Sequence, residues 1–204
     1  LANDGTLYVS EDKTISATVS SAGAEDIWTL KVGNSTQTLV EGEDSLTASI
    51  VLSADDGAST DIVVLCNDEV QFTGTVVCDT SKPLVQVDYS ISQNPTDSGT
   101  ITATVTDANL DASASYAQLL DESGNRAGNQ YPIGSDGKAT IDLSAVADGK
   151  YSGVFVYAID AIGEDHAVET SDMQSFEVDK TAPEIVARYY KVTYDFLGHA
   201  WRTE

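Results

Sequence analysis

The sequence predicts an all-β chain built from a duplicated unit. Apolar and polar side chains alternate with period two through eleven short segments, and clusters of turn-forming residues separate those segments. The first half of the chain also recurs in order in the second. No stretch keeps apolar residues at helical spacing over three turns, so an antiparallel sandwich or barrel is the expected architecture.

Thr14-Ile15-Ser16-Ala17-Thr18-Val19-Ser20 alternates apolar and hydroxyl side chains, the pattern of a strand with one dry and one wet face. Ile27–Val32, Ser45–Leu52, Asp61–Cys66 and Phe72–Cys78 read the same way. So do Leu84–Tyr89, Thr100–Thr106, Tyr116–Leu120, Ala139–Leu143, Tyr151–Ile159 and Ser175–Val178. Gly33-Asn34-Ser35, Asp55-Asp56-Gly57, Ser123-Gly124-Asn125 and Asp148-Gly149 punctuate them as turns.

Self-comparison places two copies in register. Thr14–Ser20 matches Thr100–Thr106 at an offset of 86, and Ile50–Ala54 matches Ile141–Ala145 at 91. Asp56-Gly57 matches Asp148-Gly149 at 92, and Asp79–Pro83 matches Asp179–Pro183 at 100. The offset only grows, so the second copy has longer loops, including an extended hairpin loop near Ala161–Thr170. Two tandem domains are expected, 1–79 and 80–180, with 181–204 as the truncated start of a third or a tail.

Asp and Glu number 33 against 10 Lys and Arg, giving a net charge of −23. Such a field repels phosphate backbones and anionic headgroups, which argues against nucleic-acid and membrane-surface partners. No run approaches the length of a membrane helix and no signal peptide opens the sequence, so direct membrane insertion is not expected. The whole imbalance lies in residues 1–180, because residues 181–204 hold three groups of each sign. That tail also carries five of the fifteen aromatics: Tyr189, Tyr190, Tyr194, Phe196 and Trp201. Its apolar alternation marks a strand whose partner surface is missing, one able to pair with a neighbouring sheet edge.

Phe176-Glu177-Val178-Asp179-Lys180-Thr181-Ala182-Pro183-Glu184-Ile185 resembles the junction between tandem bacterial immunoglobulin-like domains of surface proteins and adhesins. Asp148-Gly149-Lys150-Tyr151, followed by Val154, Val156, Ala158 and Asp160, is similar to that family's sixth strand, with Tyr151 at the tyrosine corner. Thr104–Asp111 is similar to its second strand and following loop. The first copy departs from the pattern, with Ser59 or Thr60 in place of the tyrosine. The resemblance implies two tandem immunoglobulin-like β-sandwiches from an exported protein at the bacterial surface or secreted. It further implies neighbouring domains of the same chain as partners, and a host protein or glycan as a candidate ligand. Independently, Pro83 and Pro183 restrict the backbone at each junction and stiffen the connection.

Calcium is the one cofactor the composition invites. Asp107-Ala108-Asn109-Leu110-Asp111 has the opening spacing of an EF-hand, but Ala112 replaces its glycine and Gln118 its bidentate glutamate. In an immunoglobulin topology the loops after the second and sixth strands share one end. Asp107, Asn109, Asp111, Asp160, Glu164 and Asp165 could then gather near Asp79 as oxygen ligands for Ca²⁺ at the domain junction, against the alternative of solvated loop carboxylates.

Cys66 is expected opposite Gln71 and Cys78 opposite Ser59, too far apart for a bond, so no disulfide is expected. Trp28 reads as the core tryptophan of a sandwich and His166 as a solvated loop residue. No Gly-x-Ser-x-Gly, phosphate-cradling glycine loop or His-Glu-x-x-His is present. The expected function is therefore non-catalytic, a stiff spacer or adhesive module. The alternative is a set of accessory domains of a large secreted carbohydrate-active or proteolytic enzyme, and glycan or protein binding by the loop at Ala161–Thr170 is a third reading.

Overall fold

The computed structural model describes residues 5–11, 13–20, 23, 25–41, 45–52, 55–187, 191–194, 197 and 200–203. The first eight strands are β1 (Thr6–Val9), β2 (Lys13–Val19), β3 (Trp28–Val32), β4 (Ser35–Thr38), β5 (Val40–Glu41), β6 (Leu46–Leu52), β7 (Ser59–Cys66) and β8 (Glu69–Cys78). They form one sheet of order β1-β8-β7-β3-β4 and a second of order β2-β6-β5. All pairs are antiparallel except β1 with β8. Between the sheets lies a core that includes Ile15, Leu30, Val32, Ala48, Ile62 and Val76.

The next eight strands repeat this plan. They are β9 (Leu84–Ser90), β10 (Thr100–Thr106), β11 (Tyr116–Asp121), β12 (Arg126–Pro132), β13 (Lys138–Asp142), β14 (Gly149–Ala158), β15 (Val168–Asp172) and β16 (Phe176–Val178). One sheet runs β13-β10-β9 and the other β12-β11-β14-β15, with β16 also paired to β14. A parallel bridge between Thr96 and Val178 occupies the place of the parallel β1–β8 pair. The second core includes Ile101, Ala103, Ile141, Leu143, Val154, Val156 and Phe176, and it shares no residue with the first. The final strands, β17 (Lys191–Tyr194) and β18 (Ala200–Thr203), pair only with each other among the described residues. Tyr189, Tyr190 and Phe196 lie outside the described residues.

The internal repeat of the sequence is a repeat of register. Ile15 pairs with Ile50 and Ala17 with Ala48. At the matched positions, Ile101 pairs with Ile141 and Ala103 with Ala139. The same small and branched side chains therefore face the same neighbours in both copies, because a one-residue slip would turn each strand's apolar set to solvent.

The structure alters several expectations. Residues 168–170 belong to β15, so the extended loop is shorter than Ala161–Thr170. β1, β4, β5 and β12 escape the alternation test, because their burial patterns are short, uniformly exposed or irregular; β15 alternates in burial but has a single apolar residue, Val168, to signal it. The β7–β8 hairpin turns on Asn67 and Asp68, both at positive φ, and Asn and Asp tolerate that conformation best after glycine. This two-residue turn puts Cys66 opposite Glu69 rather than Gln71. A register shift after Val64 puts Ser59 opposite Val77 rather than Cys78. Cys66 and Cys78 thus stand near opposite ends of a ten-residue strand, about 30 Å of extended chain apart. Trp28 is half-buried at the margin of the first core, and its buried indole Nε1 has no acceptor. Tyr151 makes its corner: its hydroxyl donates to the Ala147 carbonyl at 2.9 Å, and its ring stacks on Phe176.

Two separate cores predict two separable unfolding transitions. Ile15→Ala and Ile101→Ala should each cost about 3 kcal/mol. Scanning calorimetry should show each substitution lowering a different transition. Gly153→Ala should cost about 3 kcal/mol or more in chemical denaturation, because a Cβ there would run into the backbone at Asp172.

Candidate functional site

The site is built where β8 leaves the first set of sheets. Asp79 follows β8 directly, and its N–H donates to the Val9 carbonyl at 2.8 Å, continuing the β1–β8 pairing. Its carboxylate accepts from the Ser81 N–H at 3.2 Å through Oδ1. The next residues are held by Asp56, whose Oδ1 accepts from the Thr80 N–H at 2.6 Å and Oδ2 from the Ser81 hydroxyl at 2.8 Å. Those bonds, led by the Thr80 amide, hold the Asp56 carboxyl below its ordinary value.

The same clamp recurs one unit later. Asp148 accepts from the Lys180 N–H at 3.2 Å and the Thr181 hydroxyl at 2.9 Å, while Asp179 accepts from the Thr181 N–H at 2.9 Å. The Asp-Gly turns that matched at an offset of 92 are thus the groups that grip the exit segments. Pro83 and Pro183 each lie just beyond a gripped stretch.

Loops of the second unit close over Asp79. Asn109 donates from Nδ2 to Asp79 Oδ2 at 2.7 Å. The loop that carries Asn109 is zipped to the chain after β14, since the Asp111 N–H donates to the Ile159 carbonyl and the Ala161 N–H to the Asn109 carbonyl, both at 2.9 Å. This brings Asp160 beside Asp79. Asp160 Oδ1 accepts from the Ile162 N–H at 2.8 Å, and its Oδ2 lies 2.8 Å from His166 Nδ1. A 3-10 turn over Glu164–His166, entered through Gly163 at φ 95°, folds His166 back to reach it.

Asp79, Asp160 and His166 are 3%, 2% and 5% exposed, and each offers a ligand atom within 4.8 Å of the others. Asp107 stands at the rim, its Oδ1 accepting from the Asn109 N–H at 2.7 Å. Burial pushes the Asp107 carboxyl above its ordinary value, with the negative charges of Asp79 and Asp160 adding to the push. Among the described residues no lysine or arginine ion-pairs with these carboxylates. Among the described residues these acidic groups share one low-dielectric pocket with an imidazole, and Asp79, Asp160 and His166 stand close enough together that they could hold a metal ion.

Of the residues expected to converge, Asp79, Asp107, Asn109 and Asp160 come together. Asp111 does not. Its Oδ1 is occupied by the Ser113 N–H at 3.0 Å, the Ser113 hydroxyl at 2.6 Å and the Ala114 N–H at 3.2 Å. Asp165 is exposed on the 3-10 turn, and Glu164 is exposed with its Oε1 3.4 Å from the Tyr157 hydroxyl. His166, expected in solvent, is instead buried against Asp160. The available signal was a histidine six residues beyond a strand-terminal aspartate, with a glycine between them to reverse the chain. Ser115, the other buried hydroxyl nearby, bridges the two loops through the Asp111 carbonyl and the Ile159 N–H, which is a structural task.

No protein-family model matches the chain, and no curated protein matches it. Among solved structures it is similar to a tetra-tandem repeat in the extending region of a large adhesion protein, at 15% identity and a TM-score of 0.39. That similarity covers 95% of this chain, and the chain spans 58% of the length of that neighbour.

Asp160→Ala would strip His166 of its buried partner and should lower stability by about 3 kcal/mol in thermal or urea unfolding. Asp56→Asn should accelerate hydrogen exchange at the Thr80 amide at neutral pH. Because Asp56 titrates low in the folded chain, its contribution is present above the ordinary carboxylate value and is lost as pH falls through the depressed one. Exchange rates of the two proteins should therefore converge at the acid end.

Proposed function

We propose that this chain is a non-catalytic structural and adhesive module of an exported bacterial surface protein, with immunoglobulin-like units at 1–79 and 80–180 and a further repeat opening at 181–204. The strand order supports the immunoglobulin-like reading. In each unit a sheet with the outer parallel pairing faces a sheet of three strands, and the tyrosine corner is present in the second. A clamped exit segment suits a spacer, because it limits the bending that a free linker would allow.

The observation that carries the reading is the burial of Asp79. Asp79 is buried beneath loops of the unit that follows, whereas its counterpart Asp179 is exposed. A carboxylate placed at the seam between two repeats, and covered only by the second, is suited to fixing their joint. In this proposal Ca²⁺ is held by Asp79, Asp107 and Asp160, with the Asn109 amide, which faces Asp79 through Nδ2 in the ion-free chain, turning over to add a neutral oxygen. His166 orients Asp160 from behind as an outer partner. Asp111 and Asp165 are left out of the set. When bound, the ion neutralises the seam and ties the two units into one joint.

Calorimetric titration of chelator-treated protein with Ca²⁺ should release or absorb heat with one site per chain. Saturation at a hundredfold excess over the dissociation constant should add about 2.7 kcal/mol of stability. Asp79→Asn should abolish both effects, and X-ray scattering should show a narrower range of interdomain angles with the ion than without it. Absence of heat and of any melting shift would overturn the cation joint.

A further inference from the structure

The outward face of the sheet β12-β11-β14-β15 carries an apolar layer that the second core does not use. Along β11 and β14 the residues pointing into the core are Ala117, Leu119, Val154, Val156 and Ala158. The alternate residues point the other way, and they include Tyr116, Phe155 and Tyr157. Tyr116 lies directly across from Tyr157 in the pairing of the two strands. Their ring centroids are 5.6 Å apart, and those of Tyr116 and Phe155 are 6.2 Å apart. Phe155 is only 5% exposed although it faces away from the core, because the Arg126 guanidinium lies 3.8 Å over its ring.

The fold does not require these rings. In the first unit β3 and β7 pair in the equivalent way, with Leu30, Val32 and Ile62 turned inward. The offset of 92 that aligns the Asp-Gly turns matches Leu65 to Tyr157 and Val63 to Phe155. The strand pairing then puts Thr29 at the place of Tyr116 and Lys31 at that of Gln118. Aromatic cross-strand pairs stabilise a sheet, yet the first unit closes the same sheet over its own core with none at these places. The rings are an addition to the second unit.

Their surroundings narrow the ligand. Tyr116 and Tyr157 are half-buried. Together they present about 200 Å², well short of the roughly 800 Å² that each side of a stable protein interface buries. The rim is polar and planar. Gln118 and Gln130 pair across β11 and β12, and Arg126 donates to the Tyr116 hydroxyl at 3.3 Å and to Glu169 at 3.4 Å. Arg126 and Glu169 offset one another, so the patch is locally neutral on a chain whose charge of −23 repels anions. A small aromatic surface edged by amides is complementary to a pyranose ring. The weakly positive C–H bonds of the sugar settle on the negative ring faces, and its hydroxyls bond to the rim.

We propose that Tyr116 and Tyr157 form a stacking platform for an uncharged glycan, with Gln118, Gln130 and Arg126 bonding its hydroxyls. The platform supplies a ligand class for the adhesive part of the function proposed above, on which it rests. It uses none of Asp79, Asp107 or Asp160, so binding does not require the cation.

Amide chemical shifts of the full chain, recorded in chelator, should move on titration with at least one of lactose, cellobiose, maltose and N,N′-diacetylchitobiose at millimolar concentration. The movements should centre on residues 116–118 and 155–157. Tyr116→Thr/Tyr157→Leu installs the residues that the first unit carries at the matched places. It should weaken that binding by about tenfold or more and keep both unfolding transitions. Gln130→Ala, at an exposed position, should weaken binding with no change in melting, which keeps the test open if the double variant unfolds. No movement with any of these sugars, movement centred elsewhere, binding indifferent to the substitutions, or a response confined to an acidic sugar such as sialyllactose would each overturn the platform. The Ca²⁺ titration is read without sugar, so failure of the platform and failure of the cation joint are distinguishable.

Discussion

The pairing of β2 with β6, and of β10 with β13, is the constraint on which the other features rest. Ile15 against Ile50 and Ile101 against Ile141 seat branched side chains across from each other on the dry face, where cross-strand packing stabilises a sheet most effectively. Once that register holds, the chain must cross to the opposite sheet and return. The loops after β2 and β7, and after β10 and β14, are then fixed relative to the strands that frame them. In the second unit those loops carry Asp107, Asn109 and Asp160. The junction chemistry therefore follows from hydrophobic register, because the carboxylates converge only if the strands that deliver them are correctly aligned.

The junction itself shows how charge is managed in a chain so acidic. Most carboxylates are exposed, where water and salt screen them. Asp56 and Asp148 are used locally, each accepting from the first residues of an exit segment and so trading solvent bonds for a fixed chain direction. Asp79 and Asp160 differ because loops from the following unit bury them together. Burial makes their mutual repulsion expensive, and His166 and Asn109 supply only part of the compensation. The burial of Asp79 beneath loops that follow β10 and β14 marks the seam as a property of two adjoining units.

A similar contrast separates the two sandwiches. The threonine-rich strand that is sealed in the second unit is half-open in the first, although the sequences nearly coincide. Composition does not distinguish them. In the second unit β9 covers that edge and lays its alternate side chains across the core; among the described residues no strand pairs with the outer edge of β2.

Alternation of apolar and polar residues located β2, β3, β6–β11, β13, β14 and β16 within a residue or two, apart from the three extra residues at the head of β8. Period two reports directly on a half-buried sheet. The internal repeat likewise determined which strands are equivalent, since matching residues must face matching neighbours. Exposed, bulged or almost wholly polar strands such as β4, β12 and β15 carry no such apolar pattern in sequence, and their places are set by the hydrogen-bonding edges that β3, β11 and β14 offer. Of the junction residues, Asp79, Asp107, Asn109 and Asp160 could be named from their loops under an assumed immunoglobulin topology, together with Asp111 and Asp165. Asp111 is diverted into a local turn with Ser113 and Ala114, whereas the burial of His166 and the closing of its loop over Asp79 depend on contacts between residues distant in sequence. Only the tertiary structure decides those, because a side chain's partners are chosen by the packing of several loops at once and not by its neighbours along the chain.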